Sequence, residues 1–259
     1  MTSHRRRPSL IGRVSRALRG RLRALVLGRR GPLPSRDAYR LWAQRYDCDA
    51  NVIADLDAEV FAVLLAGAPV AGAAVVDIGC GTGRHWGELL ARSPRLLCGV
   101  DTSPEMLARV RDRHPQATLC LRTAHRIEAI ADGSVDLIVS TLMLGYARNV
   151  GEELAEWVRC LRVGGQIVLT DLHPAALQAG AKRTFSHGGT TFEIEHHVFT
   201  YDGLLAAFRA LNLEVLSREE RSFRDAIKPG QTPPPYANAY PGDPAMPLVI
   251  GFRLQRGAR

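Results

Sequence analysis

Short apolar runs alternate along the chain with helix-length amphipathic stretches. Ala74–Ile78, Leu96–Val100, Ala117–Leu121, Val135–Ser140 and Gln166–Thr170 are runs of the buried-strand type. Between them, residues 84–92 and 152–161 have helical spacing, the latter stopped by Gly164-Gly165. A further helix opens at Ser103-Pro104-Glu105, with Ser103 as N-cap and Pro104 at the first helical position. Strands separated by helices predict βαβ units, right-handed connections and a parallel, doubly wound α/β sheet. After Pro174 the rhythm changes. Thr184–His187 and Thr190–Phe199 flank His187-Gly188-Gly189, a hairpin signal. In the second arm Phe192, Ile194, His196 and Val198 share one face, opposite Thr191, Glu193, Glu195 and His197. Tyr201–Ala210 reads as a helix, and Leu213–Leu216 and Pro247–Leu254 as strands. Residues 225–246 hold six prolines and read as an irregular loop.

The first 35 residues follow a different pattern. Ile11, Val14, Leu18, Leu22 and Leu25 recur every three or four positions, and Arg13, Arg16, Arg19 and Arg23 fall mostly on the other side. Residues 1–35 therefore read as a basic amphipathic or disordered extension, closed by a linker at Gly31-Pro32-Leu33-Pro34. An amphipathic basic helix suits peripheral contact of residues 1–34 with an anionic membrane surface or an acidic partner. Its Arg-rich, acid-poor composition also matches a transit peptide. Residues 36–259 then form one domain, with 174–200 as a cap inserted after the fifth strand.

Charge changes the picture of partners. The formal net charge is +8, yet residues 1–36 hold 11 arginines and no acid. The remaining 23 bases face all 26 acids, so the body carries −3. The basic balance belongs to the extension, which argues against a nucleic-acid-binding body. No apolar run approaches the roughly 20 residues of a membrane span. Five cysteines, odd in number and without a CxxC pair, fit a reducing cytosol. We therefore expect a cytoplasmic protein, a monomer or homodimer, with the membrane surface as its one alternative site.

The candidate chemistry sits after the first strand, in Val75-Val76-Asp77-Ile78-Gly79-Cys80-Gly81-Thr82-Gly83-Arg84. Glycines let the chain turn sharply and let a ligand approach the backbone, while the free N–H groups of the helix start face it. Asp101 ends the next strand, where a carboxylate accepts the hydroxyl hydrogens of a ribose. The glycine spacing is GxGxG rather than the dinucleotide GxGxxG. An acid, Asp77, stands in front of it, repelling a pyrophosphate and attracting an ammonium. That favours S-adenosylmethionine over NAD.

These segments resemble the class I S-adenosylmethionine-dependent methyltransferases, in particular the small-molecule branch of ubiquinone- and menaquinone-biosynthesis enzymes. The resemblance covers roughly residues 36–172, through AYRLWAQRYD, VVDIGCGTGRH, GVDTSPEMLARVR, DGSVDLIVSTLML and ELAEWVRCLRVGGQIVLTDLHP. It implies a Rossmann-like seven-stranded sheet whose last strand is antiparallel. It implies that Asp77, Gly79, Gly81 and Gly83 surround the methionine moiety and that Asp101 holds the ribose. Thr102 and Met106 would flank the adenine, Thr141 and Leu142 would lie below the sulfonium, and Tyr46 would fold over the cofactor. The chain departs from the pattern after the third strand. Relatives carry Asp-Ala there; this chain reads Arg122-Thr123-Ala124, with the Thr123 hydroxyl or backbone groups left to meet the adenine.

For the acceptor side, His173 after the fifth strand and His197 on the hairpin are the candidate bases, with pKa values ordinarily near 6.5. His85 is a candidate contact to cofactor or substrate. Pro233-Pro234-Pro235-Tyr236 is set apart as loop, because an adenine-methylating PPY motif belongs directly after the fourth strand. Cys80 lacks a neighbouring base, and no cluster has metal-ligand spacing. The reading is methyl transfer to a small-molecule acceptor, oxygen ahead of carbon or nitrogen. The alternatives are a membrane-associated C-methyltransferase of a lipid quinone and an RNA or protein methyltransferase.

Overall fold

The structure, a computed structural model, describes residues 31–227 and 243–258. The stripe from Ile11 to Leu25 and the Pro233–Tyr236 motif lie outside the described residues. Helices α1 (Ser35–Trp42) and α2 (Val52–Ala66) precede the sheet. Then come β1 (Ala74–Ile78), α3 (Trp86–Ala91), β2 (Leu96–Asp101), α4 (Pro104–Arg113), β3 (Thr118–Leu121) and β4 (Val135–Thr141). After these follow α5 (Val150–Cys160), β5 (Leu161–Leu172), α6 (Pro174–Gln178), the hairpin β6 (Thr184–His187) and β7 (Thr190–Glu193), α7 (Tyr201–Ala210), β8 (Leu213–Ser222) and β9 (Pro247–Arg256). The seven-stranded sheet has the order β3-β2-β1-β4-β5-β9-β8, parallel except for β9, which runs antiparallel to both neighbours. This is the Rossmann-like, doubly wound architecture expected from the sequence, its last strand antiparallel.

Alternation along β1 divides the core. Val75 joins α2, Trp86 of α3 and Leu107 of α4 on one face of the sheet. Val76 and Ile78 join Leu154 and Trp157 of α5 and Phe208 of α7 on the other. Both faces are covered, as a parallel sheet requires. Local signals set the helix starts. Ser103 Oγ accepts from the Met106 N–H at 3.2 Å, and Asn51 and Asn149 accept from the first N–H groups of α2 and α5.

A third, smaller cluster forms the cap. Leu33, Ala38 and Trp42 pack against Phe185 and Ile194 of the hairpin region. Gly188 and Gly189, with φ of +58° and +78°, make the two-residue hairpin turn. The second hairpin arm is shorter than its alternation predicts, ending at Glu193 rather than Phe199. Its partner strand begins at Thr184, opposite Glu193, and beyond that pair the chain changes partners. The Glu195 N–H donates to Leu33 O (2.7 Å) and the His197 N–H to Gly145 O (2.7 Å). Strand β8 runs to Ser222, well past Leu216. It lies at the sheet edge, where pairing to β9 needs no apolar alternation. No helix among the described residues is long and apolar enough to cross a membrane.

Candidate functional site

The carboxyl ends of β1, β2 and β4 open onto one crevice. β1 delivers Asp77 and then the glycine loop, in which Gly79, Gly81 and Gly83 have φ of +73°, +53° and +73°. Only glycine adopts this left-handed backbone without strain. Gly79 has a second constraint: a Cβ there would stand 2.3 Å from the Met143 side chain, which packs across the loop from the end of β4. β2 delivers Asp101. Its carboxylate accepts from the Gly81 N–H and the Ser103 N–H, each at 2.8 Å, and so ties the glycine loop to the start of α4. Burial raises its pKa, against those two N–H groups.

Asp77 is 5% exposed and accepts from Trp86 Nε1 at 2.9 Å. Burial, with Asp101 nearby, pushes its carboxyl up to about 7, against the Trp86 bond. A buried carboxyl held so weakly in its charged form is one that a cationic ligand group would stabilise. The donor set therefore fits the ammonium of a methionine moiety beside Asp77 and a ribose beside Asp101. Thr102, Thr123 and Ala124 lie exposed beyond the ends of β2 and β3, and Met106 is buried at 1% exposure. Arg122 pairs with Glu153 of α5 and donates to the carbonyls of Ala124 and His125. The departure from Asp-Ala thus carries a loop-shaping arginine.

The turn after α1 lies on the glycine loop. Thr82 Oγ1 donates to Asp47 at 2.6 Å, and Arg113 bonds both Asp47 and the Thr82 carbonyl. This places Tyr46 against Trp42, ring centroids 4.7 Å apart, where burial pushes its phenol up to about 12. Below it lies a buried cluster that the sequence did not announce. Asp57 of α2 accepts from Arg84, from His85 Nε2 (3.1 Å) and from Thr170 Oγ1. Burial works to raise the Asp57 pKa, but Arg84 and its other partners hold it below the usual range. His85 also packs against Phe61, ring centroids 4.0 Å apart and tilted by 31°, and burial lowers its pKa. Its ring is committed to this cluster, which locks α2 to the glycine loop and β5.

Beside the crevice lies a cavity of about 1020 Å³ between α1, the hairpin and the end of β4. Tyr39, Trp42, Tyr46, Tyr146, Phe185 and Arg183 are among its walls, and it also touches Leu142, which follows Thr141. Tyr46 and Leu142 thus stand on both the cavity and the predicted cofactor set. Neither candidate histidine lines it. His173 caps α6, its Nδ1 accepting from the Ala175 N–H at 3.1 Å, while Nε2 faces Glu220 at 3.6 Å. Burial lowers its pKa, against the pull of Glu220. The His197 main chain is bound to Gly145, and its ring has no place in the cavity wall. No group of acidic, histidine and cysteine side chains among the described residues is arranged to hold a metal ion.

Residues 76–169 match the family model described as a methyltransferase domain. The chain is 31% identical over 183 residues to a malonyl-[acyl-carrier protein] O-methyltransferase of Marinomonas sp. (strain MWYL1), covering 68% of this chain and 65% of that protein. It is 37% identical over 108 residues to a trans-aconitate 2-methyltransferase of Azoarcus sp. (strain BH72), covering 41% and 42%. The chain therefore spans less than two thirds of the length of these relatives. Its fold matches the crystal structure of an S-adenosylmethionine-dependent methyltransferase from Mesorhizobium loti, with a TM-score of 0.55 and 21% identity over 75% of this chain and 96% of that one.

Proposed function

We propose that this chain, whose residues 76–169 match a methyltransferase domain, uses S-adenosylmethionine to methylate an oxygen of a small-molecule acceptor held in the cavity under α1 and the hairpin. The observation that carries this reading is the pair of buried carboxyls flanking the glycine loop, Asp77 held by Trp86 Nε1 and Asp101 at the end of β2. Oxygen as the reacting atom is supported by the O-methyltransferase among the relatives.

When bound, S-adenosylmethionine supplies a methyl group on a positively charged sulfur, so the donor arrives activated. The protein's part is alignment and exclusion of water. Asp77 pairs with the ammonium, and the glycine loop lets the methionine moiety approach the backbone. Asp101 accepts from the ribose hydroxyls. Tyr46, pinned through Asp47 to Thr82, closes the crevice from above. Thr141 and Leu142 support the reacting centre from the end of β4. The cap of Leu33, Trp42, Phe185 and Ile194 keeps water from the acceptor.

Calorimetric titration with S-adenosylmethionine and S-adenosylhomocysteine, with NADH as the contrast, tests the reading. Both sulfur ligands should bind the native chain, and Asp101→Ala should weaken each tenfold or more, since bonds to a charged group contribute about 1.5–3 kcal/mol. Binding of NADH alone, or sulfur-ligand binding indifferent to Asp101→Ala, would refute it.

A further inference from the structure

The chain between α1 and α2 is fastened to the glycine loop by more than one bond. Trp42 Nε1 donates to Asp49 at 2.9 Å and Arg45 pairs with the same carboxylate, so residues 42–49 fold back as one turn. The turn has two sides. Trp42, Arg45, Tyr46, Cys48 and Asp49 line the cavity. Asp47 faces the other way. It accepts from Thr82 Oγ1 at 2.6 Å and from the Arg113 guanidinium at 3.1 Å. Thr82 is 1% exposed and stands between Gly81 and Gly83. The turn is therefore tied to the stretch of backbone that the methionine moiety approaches.

Arg113 is the last residue of α4, an end of a helix that suits a cation. Its guanidinium donates to Thr82 O as well as to Asp47, so one side chain spans both halves of the contact. The other end of α4 is anchored to the same loop, because Asp101 accepts from the Gly81 and Ser103 N–H groups. His114, next along the chain, packs against Trp86 with ring centroids 5.5 Å apart, and Trp86 donates to Asp77. Helix α4 thus supports the loop at both ends, and Arg113 extends that support to the turn. The Arg113–Asp47 pair is partly open to water, its side chains 41% and 26% exposed. Such a pair is weak enough to break and re-form, and salt screens it.

We infer that Arg113 is a positioning residue, the latch of a gate formed by the turn at 42–49. Closed, the latch holds Tyr46 over the cofactor; its opening sets the rate at which S-adenosylmethionine enters and S-adenosylhomocysteine leaves. This rests on the methyltransferase reading above and adds the group that governs traffic through its site. The latch joins protein groups to one another, Arg113 to Asp47 and to Thr82 O. Loosening it should therefore speed entry and exit by the same factor and leave the binding equilibrium unchanged. A residue that gripped the cofactor itself would slow exit alone, and its loss would raise the Kd.

The test uses the full chain and S-adenosylhomocysteine. Association is followed by stopped-flow tryptophan fluorescence, with Trp42 on the gate and Trp86 bonded to Asp77. Dissociation is read by chasing labelled ligand with an unlabelled excess, and the Kd by calorimetry. In Arg113→Met both rate constants should rise at least about threefold, with the Kd within twofold of native. In the native chain the two rates should climb together as sodium chloride is raised from about 0.05 to 0.5 M, and in the variant they should stay flat. Arg113→Lys keeps a charge beside Asp47 without the fork that also reaches Thr82 O, so its rates should fall between the two. Adding Asp47→Asn to Arg113→Met should raise the rates by less than the product of the single effects. The salt series on the native chain and Arg113→Lys keep the inference open to refutation even if Arg113→Met fails to fold. Native rates indifferent to salt, rates unchanged in Arg113→Met, or dissociation that rises alone with the Kd in step would overturn it. Absence of S-adenosylhomocysteine binding to the native chain would instead overturn the methyltransferase reading.

Discussion

Asp77 should make both stability and cofactor binding depend on pH, in opposite directions. Its carboxyl titrates near 7 in the fold, against 3.8 for an exposed group. A raised acid pKa means the folded state keeps its proton to higher pH than the unfolded chain does. Stability therefore falls as pH rises from about 4 to 7 and levels above that. At 1.36 kcal/mol per unit, the ionised carboxylate costs roughly 4 kcal/mol above pH 7. Asp77→Asn retains an acceptor for Trp86 Nε1 and removes the charge. Urea unfolding should show the variant more stable than native by several kcal/mol at pH 8, and the gap should narrow as pH falls towards 5.

Binding runs the other way. The ligand's ammonium requires the ionised form, so affinity should drop about tenfold per unit below the Asp77 pKa. Between pH 8 and pH 6 the Kd for S-adenosylmethionine should rise on the order of tenfold. Near pH 7, binding should release a fraction of a proton from Asp77, read from the dependence of calorimetric heat on the buffer's ionisation enthalpy. Above about pH 8 the ligand's own α-amino group loses its charge, so the profile turns over. Asp77→Asn should bind weakly at pH 8 and lose the acid limb. A Kd flat between pH 6 and 8, or the same slope in the variant, would refute the assignment of Asp77 to the ammonium.

Two further predictions concern the scaffold. Asp57→Ala leaves Arg84 and Thr170 without their buried partner and should cost about 3–5 kcal/mol in chemical denaturation. Adding Arg84→Met should recover part of that, and a double variant no better than the single would contradict the pairing. Because Asp57 has a depressed pKa, its contribution is present above the ordinary carboxylate range and lost as pH falls through the folded value. Gly79→Ala meets both a φ of +73° and the Met143 side chain, whereas Gly81→Ala meets only backbone strain, since nothing lies within 4 Å of its added Cβ. Gly79→Ala should therefore destabilise by roughly 1–3 kcal/mol more than Gly81→Ala. Equal thermal shifts would show that Met143 yields freely.

What the sequence disclosed and what it hid divide along the range of the interactions. The glycine loop and the carboxyls beside it are written locally. Asp77, the three glycines and Trp86 lie within ten residues, and Asp101 follows on the adjacent parallel strand, so spacing and residue type suffice. Ser103 caps its own helix and was legible for the same reason. The hidden features are all long-range. Asp57 meets Arg84, His85 and Thr170 across 27, 28 and 113 residues, and nothing near position 57 marks it apart from an acid inside an apolar helix. Without Asp57 in view, His85 looks like a ligand contact. Arg183 stands beside Lys182 in an unremarkable polar stretch; only the fold brings it against Asp171, Leu142 and the Tyr146 ring. His173 is the converse case. It stands at the mouth predicted for substrate, but its Nδ1 is spent on a helix start two residues away, a local role that Pro174 at the first helical position foreshadows. The cavity wall is likewise built by residues that meet only after the chain has folded, Tyr39 from α1, Tyr146 after β4 and Arg183 before β6. For that reason the glycine loop is legible in one stretch of sequence, and the cavity only in the fold.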